Sequence, residues 1–170
     1  VTIHNVGEEN GLNFIVMQFI EGKNLAELLE SHPNGLPWAT AVRLAHLAGK
    51  GLHAVHEHDL LHRDVKPSNI MLANDGRLLL MDFGLVCQES GSDLTATGIV
   101  VGTVPYMSPE QCRGDATDRR SDIFSLGSTL YTLLTNKRPY AGTSTEVLTK
   151  LLSARNPPPV HQLNPQLPPE

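Results

Sequence analysis

Thiols are scarce in this 170-residue chain: Cys87 and Cys112 are its only cysteines. They form no C-x-x-C pair and are too few for a disulfide framework, so reduced thiols are expected. Aromatic residues make up 5% and charged residues 18%, and no cluster of Lys and Arg appears. With a net charge of -5, the chain offers no basic face, which argues against a nucleic-acid partner. Long apolar runs are missing too. Phe14 to Met17 and then Phe19-Ile20 form the longest near the start, and Gln18 breaks it. That is far too short to span a bilayer. No export signal opens the sequence, so a cytoplasmic location is expected, with any membrane anchor lying outside these residues.

Hydrophobic residues make up 40%, enough for one globular domain with a real core. Ile3–Val6 and Asn13–Ile20 read as strands joined by the turn-rich stretch 7–11. Asn24 can cap a short helix over Leu25–Glu30. Pro37 suits the first turn of a long helix ending near His58. Its apolar stripe is Trp38, Ala41, Val42, Ala45, Ala48, Leu52 and Val55. Ile70–Leu72 and Leu78–Met81 flank Asn74-Asp75-Gly76, a strong hairpin signal. Residues 85–105 have no period and are rich in Gly, Ser and Thr, which suggests a mobile loop. Asp122–Leu134 reads as a buried helix packed through Ile123, Phe124, Leu126, Leu130 and Leu133. Thr143 and Glu146 resemble a capping box for a helix to about Ala154. After Asn156 lie six of the chain's twelve prolines, so an extended tail is expected.

The most informative residues are His62-Arg63-Asp64, Asn69 and Asp82-Phe83-Gly84. Asn69 follows Asp64 by five positions, and Asp82 follows Asn69 by thirteen. Phosphoryl transfer needs a carboxylate near the attacking hydroxyl and hard oxygen ligands for a divalent cation near the phosphates. One short loop plus the start of the next segment can bring Asp64, Asn69 and Asp82 to a single point.

The order of these residues resembles the eukaryotic-like (Hanks-type) serine/threonine protein kinases, in wording closest to the bacterial members. The resemblance runs from about Val1 to at least Ala154. It rests on His62-Arg63-Asp64-Val65-Lys66-Pro67-Ser68-Asn69, Asp82-Phe83-Gly84, Gly102-Thr103, Ser108-Pro109-Glu110 and Asp122-Ile123-Phe124-Ser125-Leu126-Gly127. It implies an α+β, protein-kinase-like fold with a mainly helical large lobe. Residues 1–17 would end the small lobe, 18–23 would form the hinge, and 24–170 an incomplete large lobe.

The resemblance also implies an activity: transfer of the ATP γ-phosphate to Ser or Thr hydroxyls of protein substrates, with Mg2+ or alternatively Mn2+. Asp64 would be the catalytic base, Lys66 would neutralise charge on the transferring group, and Thr103 would help seat the substrate hydroxyl. Asn69 and Asp82 would hold the metal. Phe83 would pack inside and govern the direction of Asp82, and Gly84 would permit the backbone swing. Met17 would guard the adenine pocket, the backbone of Gln18, Phe19 and Ile20 would bind adenine, and Asn24 could reach the ribose. Arg63 would pair with a phosphate on the activation segment, for which Thr95 and Thr97 are the best sites, ahead of Ser90 and Ser92. Self-phosphorylation in trans would supply it. Asp122 would anchor the catalytic loop and Glu110 would pair with a downstream arginine.

His53, His56 and His58 invite comparison with a metal site, but no Cys or carboxylate set completes one. No G-x-G-x-x-G occurs, and the strand lysine and its partner glutamate are missing. Nor does the sequence reach the arginine that pairs with Glu110. This piece alone is therefore expected to bind ATP weakly. Val104 replaces the proline usual after Thr103, and Ser108 replaces the usual Ala. A non-catalytic pseudokinase-like scaffold is the competing reading. The intact set of Asp64, Lys66, Asn69 and Asp82 argues against it.

Overall fold

A computed structural model describes residues 1–83 and 104–167. Gly84, Cys87, Ser90, Ser92, Thr95, Thr97, Gly102 and Thr103 lie outside the described residues, as does most of the expected 85–105 loop.

The chain opens with an antiparallel hairpin of β1 (Ile3–Glu9) and β2 (Leu12–Met17). Both strands differ from expectation. Asn10 and Gly11, at φ 53° and 78°, make a two-residue turn, so pairing continues through Gly7 up to Glu9. β2 stops at Met17, after which the Gln18 N–H donates to the Thr2 carbonyl (2.8 Å).

A second sheet has the order β3–β4–β5 and is antiparallel throughout. β4 (Ile70–Ala73) and β5 (Leu78–Leu80) form the expected hairpin, whose turn has Gly76 at φ 86°. β3 (Gly22–Asn24) overlaps the end of the expected 18–23 hinge and the Asn24 helix cap. It becomes a strand because β4 offers it an edge, a partner that local sequence cannot reveal.

Among the described residues there are six α-helices: the first, second, fourth and fifth follow the expected plan, whereas the third and sixth do not. α1 (Leu25–Glu30) begins with a full capping box between Asn24 and Glu27. α2 (Trp38–His56) carries the core, and α3 (Pro109–Arg113) is capped by Ser108 and Gln111. α4 (Arg119–Thr135) starts one turn earlier than expected, because the Asp118 side chain accepts from the Arg120 N–H. α5 (Ser144–Leu152) has the expected Thr143–Glu146 box. α6 (Val160–Leu163) interrupts the tail that was expected to be extended. Tertiary bonds hold that tail down. The Tyr131 hydroxyl donates to the Pro158 carbonyl (2.8 Å), and buried Asn164 donates to the Leu134 carbonyl (2.7 Å). Among the described residues, no helix is long and apolar enough to cross a membrane.

The main core joins Leu25 and Leu29 of α1 to Leu44, Ala48 and Leu52 of α2, to Val65, Ile70 and Leu80, and to Leu133 and Leu134 of α4. The stripe read on α2 is rotated from the observed one. Trp38 and Val42 are about half exposed, whereas Leu44 and His56 are buried. α4 departs further. Ile123 is 56% exposed, and the buried side is largely Ser121, Asp122, Ser125, Ser128, Thr129, Thr132 and Thr135.

Candidate active site

The loop 62–69 connects α2 to β4, and alternate residues of it are driven into the core. His62, Val65, Pro67 and Asn69 are buried, while Asp64 and Lys66 are only partly covered. Val65 is 1% exposed within the main apolar cluster. Burying a side chain of that size contributes about 1.5–3 kcal/mol. With Val65 fixed inward, its neighbours Asp64 and Lys66 must project to the other side.

Side chains from elsewhere hold the loop backbone. Asp122, at the first turn of α4 and 1% exposed, accepts three hydrogen bonds. The His62 N–H reaches its Oδ2 (2.9 Å), the Arg63 N–H its Oδ1 (2.8 Å), and His56 Nε2 its Oδ2 (2.7 Å). This arrangement offsets the cost of a buried carboxylate. It also supports Arg63 at φ 66°, a left-handed conformation that β-carbon sterics disfavour. Asp122 thus sits where the loop-anchoring role requires it.

The Asp64 carboxylate is gripped on one oxygen. Lys66 Nζ lies 2.7 Å from Oδ2, and Asn69 Nδ2 lies 2.8 Å from that same oxygen and 3.0 Å from the Asp64 carbonyl. Oδ1 is buried, with no hydrogen-bond partner among the described residues. A buried carboxylate oxygen with an open lone pair is a site for a donor that arrives from outside, such as an alcohol.

Asn69 is oriented by those same bonds. Its nitrogen faces Asp64, so its oxygen faces away, 3.4 Å from the Ser68 hydroxyl. The Asn69 carbonyl receives the Met81 N–H (2.8 Å), which sets the strand end carrying Asp82 beside the loop. Asp82 is exposed, at φ 52°, and no hydrogen bond among the described residues engages its carboxylate. The Asn69 amide oxygen and the Asp82 carboxylate are hard donors of the kind magnesium takes, one or two per ion, with phosphate and water completing the shell. The residues present therefore fit such an ion.

Phe83 corrects an expectation. It is 39% exposed rather than enclosed, and its ring lies on His62 with centroids 4.7 Å apart. His62 is fully buried. Burial pushes its imidazole below the usual histidine range, although the nearby Asp122 and Asp64 carboxylates oppose this. A neutral, enclosed imidazole suits packing, not proton transfer at the surface.

The residues expected to meet the nucleotide fall in two places. Met17 lines an apolar cleft with Ile15, Leu80, Met81 and Asp82. Gln18, Phe19 and Ile20 line a separate cavity of ≈ 210 Å³ with the β4–β5 turn. Phe19 is 86% exposed and Ile20 is buried. The Asn24 Oδ1 already accepts the Glu27 N–H (2.9 Å) as the cap of α1.

Glu110 was expected to need a downstream arginine. Here its carboxylate accepts the Ser121 hydroxyl. Burial pushes Glu110 up, but that bond, its own N–H and Ser108 outweigh it and hold the group below the usual range.

Sequence reasoning missed three contacts. His56 bonds Asp122, while His53 pairs with Glu57, so the histidine triplet is split between separate partners. Gln111 joins α3 to the loop by donating to the Arg63 carbonyl (2.8 Å). Its place in the Ser108 capping box was legible as a spacing; its bond to Arg63 was not.

The protein kinase domain family matches residues 1–164. The chain belongs to that family. Relatives include the serine/threonine-protein kinases PknL and PknF of Mycobacterium tuberculosis. PknL is 42% identical over 144 residues, covering 85% of this chain and 36% of PknL. PknF is 37% identical over 175 residues, covering 99% of this chain and 37% of PknF. The serine/threonine-protein kinase PknB of Mycolicibacterium smegmatis is 38% identical over 150 residues, 85% of this chain and 24% of that protein. The chain thus spans roughly a quarter to a third of the kinases it matches. These matches agree with an α+β kinase fold whose two small sheets stand beside a helical body.

Proposed function

We propose that this chain is part of a serine/threonine protein kinase that transfers the ATP γ-phosphate to protein Ser and Thr hydroxyls. The observation that carries this reading is the asymmetry at Asp64. One carboxylate oxygen is fixed by Lys66 and Asn69, and the other is buried and open. Asp64 accepts the substrate hydroxyl's proton at Oδ1 and holds that hydroxyl in line. Lys66, already beside Oδ2, places positive charge where the transferring group gains negative charge. Asn69 locks Asp64 through its nitrogen and presents its oxygen, with Asp82, to a magnesium ion, or alternatively manganese. The bound metal would neutralise phosphate charge. Met17 closes the adenine side, the backbone of residues 18–20 binds the base, and Asn24 lies near the ribose while it caps α1.

In this reading, residues 1–17 end the small lobe, 18–23 form the hinge, and 24–170 belong to the large lobe. Thr103 seats the substrate hydroxyl. Arg63 answers a phosphate placed on Thr95 or Thr97 by a second copy of the enzyme. The two thiols and the ATP requirement suit the cytoplasm.

The test uses the full-length natural chain that carries this sequence, with labelled ATP and a generic protein substrate. Asp64→Asn should lower kcat by about 10²–10⁴-fold while ATP binding persists. Equal signals from Asp64→Asn and the unaltered protein would overturn the reading and favour a scaffold.

A further inference from the structure

Gln111 makes three bonds that, taken together, exceed what a helix cap needs. Its Oε1 accepts the Ser108 N–H (2.9 Å), and its own N–H reaches Ser108 Oγ (3.3 Å). These two form the capping box of α3. The third bond leaves the helix: Nε2 donates 2.8 Å to the Arg63 carbonyl, 48 positions away in sequence. The partners fix the amide's orientation. An N–H can meet only the oxygen, and a carbonyl can meet only the NH₂.

The bonded carbonyl belongs to a special peptide. Arg63 is left-handed, at φ 66°, and its own N–H is held by Asp122. The Arg63 carbonyl and the Asp64 N–H share one rigid peptide plane. Fixing that carbonyl therefore fixes the direction in which Asp64 leaves the backbone. α4 holds one side of the strained residue and α3 holds the other.

We infer that Gln111 is a positioning residue for phosphoryl transfer: it clamps the Arg63–Asp64 peptide to the Ser108–Pro109 turn and so couples the segment before α3 to the base. The inference rests on Asp64 being that base. Displacement of the segment leading into Ser108 would pull on Gln111 and turn the Arg63–Asp64 peptide, with no contact between that segment and the nucleotide.

Gln111→Glu separates the clamp from the cap. A glutamate oxygen still accepts the Ser108 N–H, as in ordinary capping boxes. The other oxygen faces the Arg63 carbonyl with no proton to offer. In the full-length chain, Gln111→Glu should stay folded and keep the KM for ATP, yet lower kcat about 10- to 100-fold, the scale of a slight misplacement of reacting groups. Amide exchange in a peptide spanning 62–66 should quicken. Gln111→Met, which loses the side-chain half of the cap together with the clamp while the backbone N–H still reaches Ser108 Oγ, should show the same loss of kcat and also a lower melting temperature. If Gln111→Glu does not fold, Gln111→Met decides the matter by the same readouts. Unchanged kcat and unchanged exchange at 62–66 in whichever variant folds would overturn the clamp. If the unaltered protein transfers no phosphate, the proposed kinase activity fails by itself; exchange at 62–66 then still decides whether Gln111 holds the loop.

Discussion

α2 turns Ala41, Leu44, Ala45, Ala48 and Leu52 inward, as a sequence-period argument expects of a core helix. α4, packed against it, turns inward Ser121, Asp122, Ser125, Ser128, Thr129, Thr132 and Thr135. The hydroxyls are affordable there because many bond back along the helix: Ser125 to the Ser121 carbonyl (3.1 Å), Thr132 to Ser128 (3.0 Å) and Thr135 to Tyr131 (2.8 Å). Small side chains also let neighbours approach, and Thr129 reaches towards the Val65 carbonyl (3.4 Å). The two helices therefore divide the labour. α2 supplies apolar cohesion, and α4 supplies the polar contacts that hold the 62–69 loop.

Four perturbations would break or sharpen this division. The largest effect is expected at Asp122. Asp122→Ala leaves three buried donors without an acceptor and should cost about 3–5 kcal/mol in urea unfolding, with activity lost as well. Leu52→Ala attacks α2 instead. Its fully buried side chain should cost about 2–5 kcal/mol, and in conditions where the protein stays folded it should spare phosphate transfer more than Asp122→Ala does. Comparing kcat with stability across this pair tests whether cohesion and positioning are separable.

A smaller effect concerns pH. His62 has a folded pKa below its ordinary value of 6.5, so the unfolded chain binds more protons as pH falls through that range. Stability should be present above about pH 6.5 and decline below it. His62→Phe should flatten that slope, and melting temperature against pH measures it. The smallest effect is expected at Ile123, which a period argument buries but which is 56% exposed. Ile123→Ser should change stability by no more than about 0.5 kcal/mol. A loss of several kcal/mol would show that this face of α4 is covered in the intact protein.

Much of the fold was legible because its signals are local. Asn24 with Glu27 and Thr143 with Glu146 mark helix starts by spacing alone. Asn74-Asp75-Gly76 marks a hairpin by the backbone freedom it grants. β3 and α6 were not legible, because each depends on a distant partner: β4 for the first, Tyr131 and the α4 carbonyl end for the second. At the site, the residue types and spacing of Asp64, Lys66 and Asn69 pointed to the chemistry before any geometry was known. The roles of His56 and Gln111 did not, since histidine on a helix and glutamine in a cap have ordinary local explanations.

Order along the chain alone determined which groups are offered for chemistry: a carboxylate, an ammonium and an amide within six residues of one another, and a second carboxylate after the next hairpin. Only the tertiary structure decided which way each points. Val65 is drawn into the core, the Arg63 peptide is pinned from two helices, and one oxygen of Asp64 is left open. Side-chain direction depends on backbone angles that local preference disfavours, and long-range packing and hydrogen bonds set those angles.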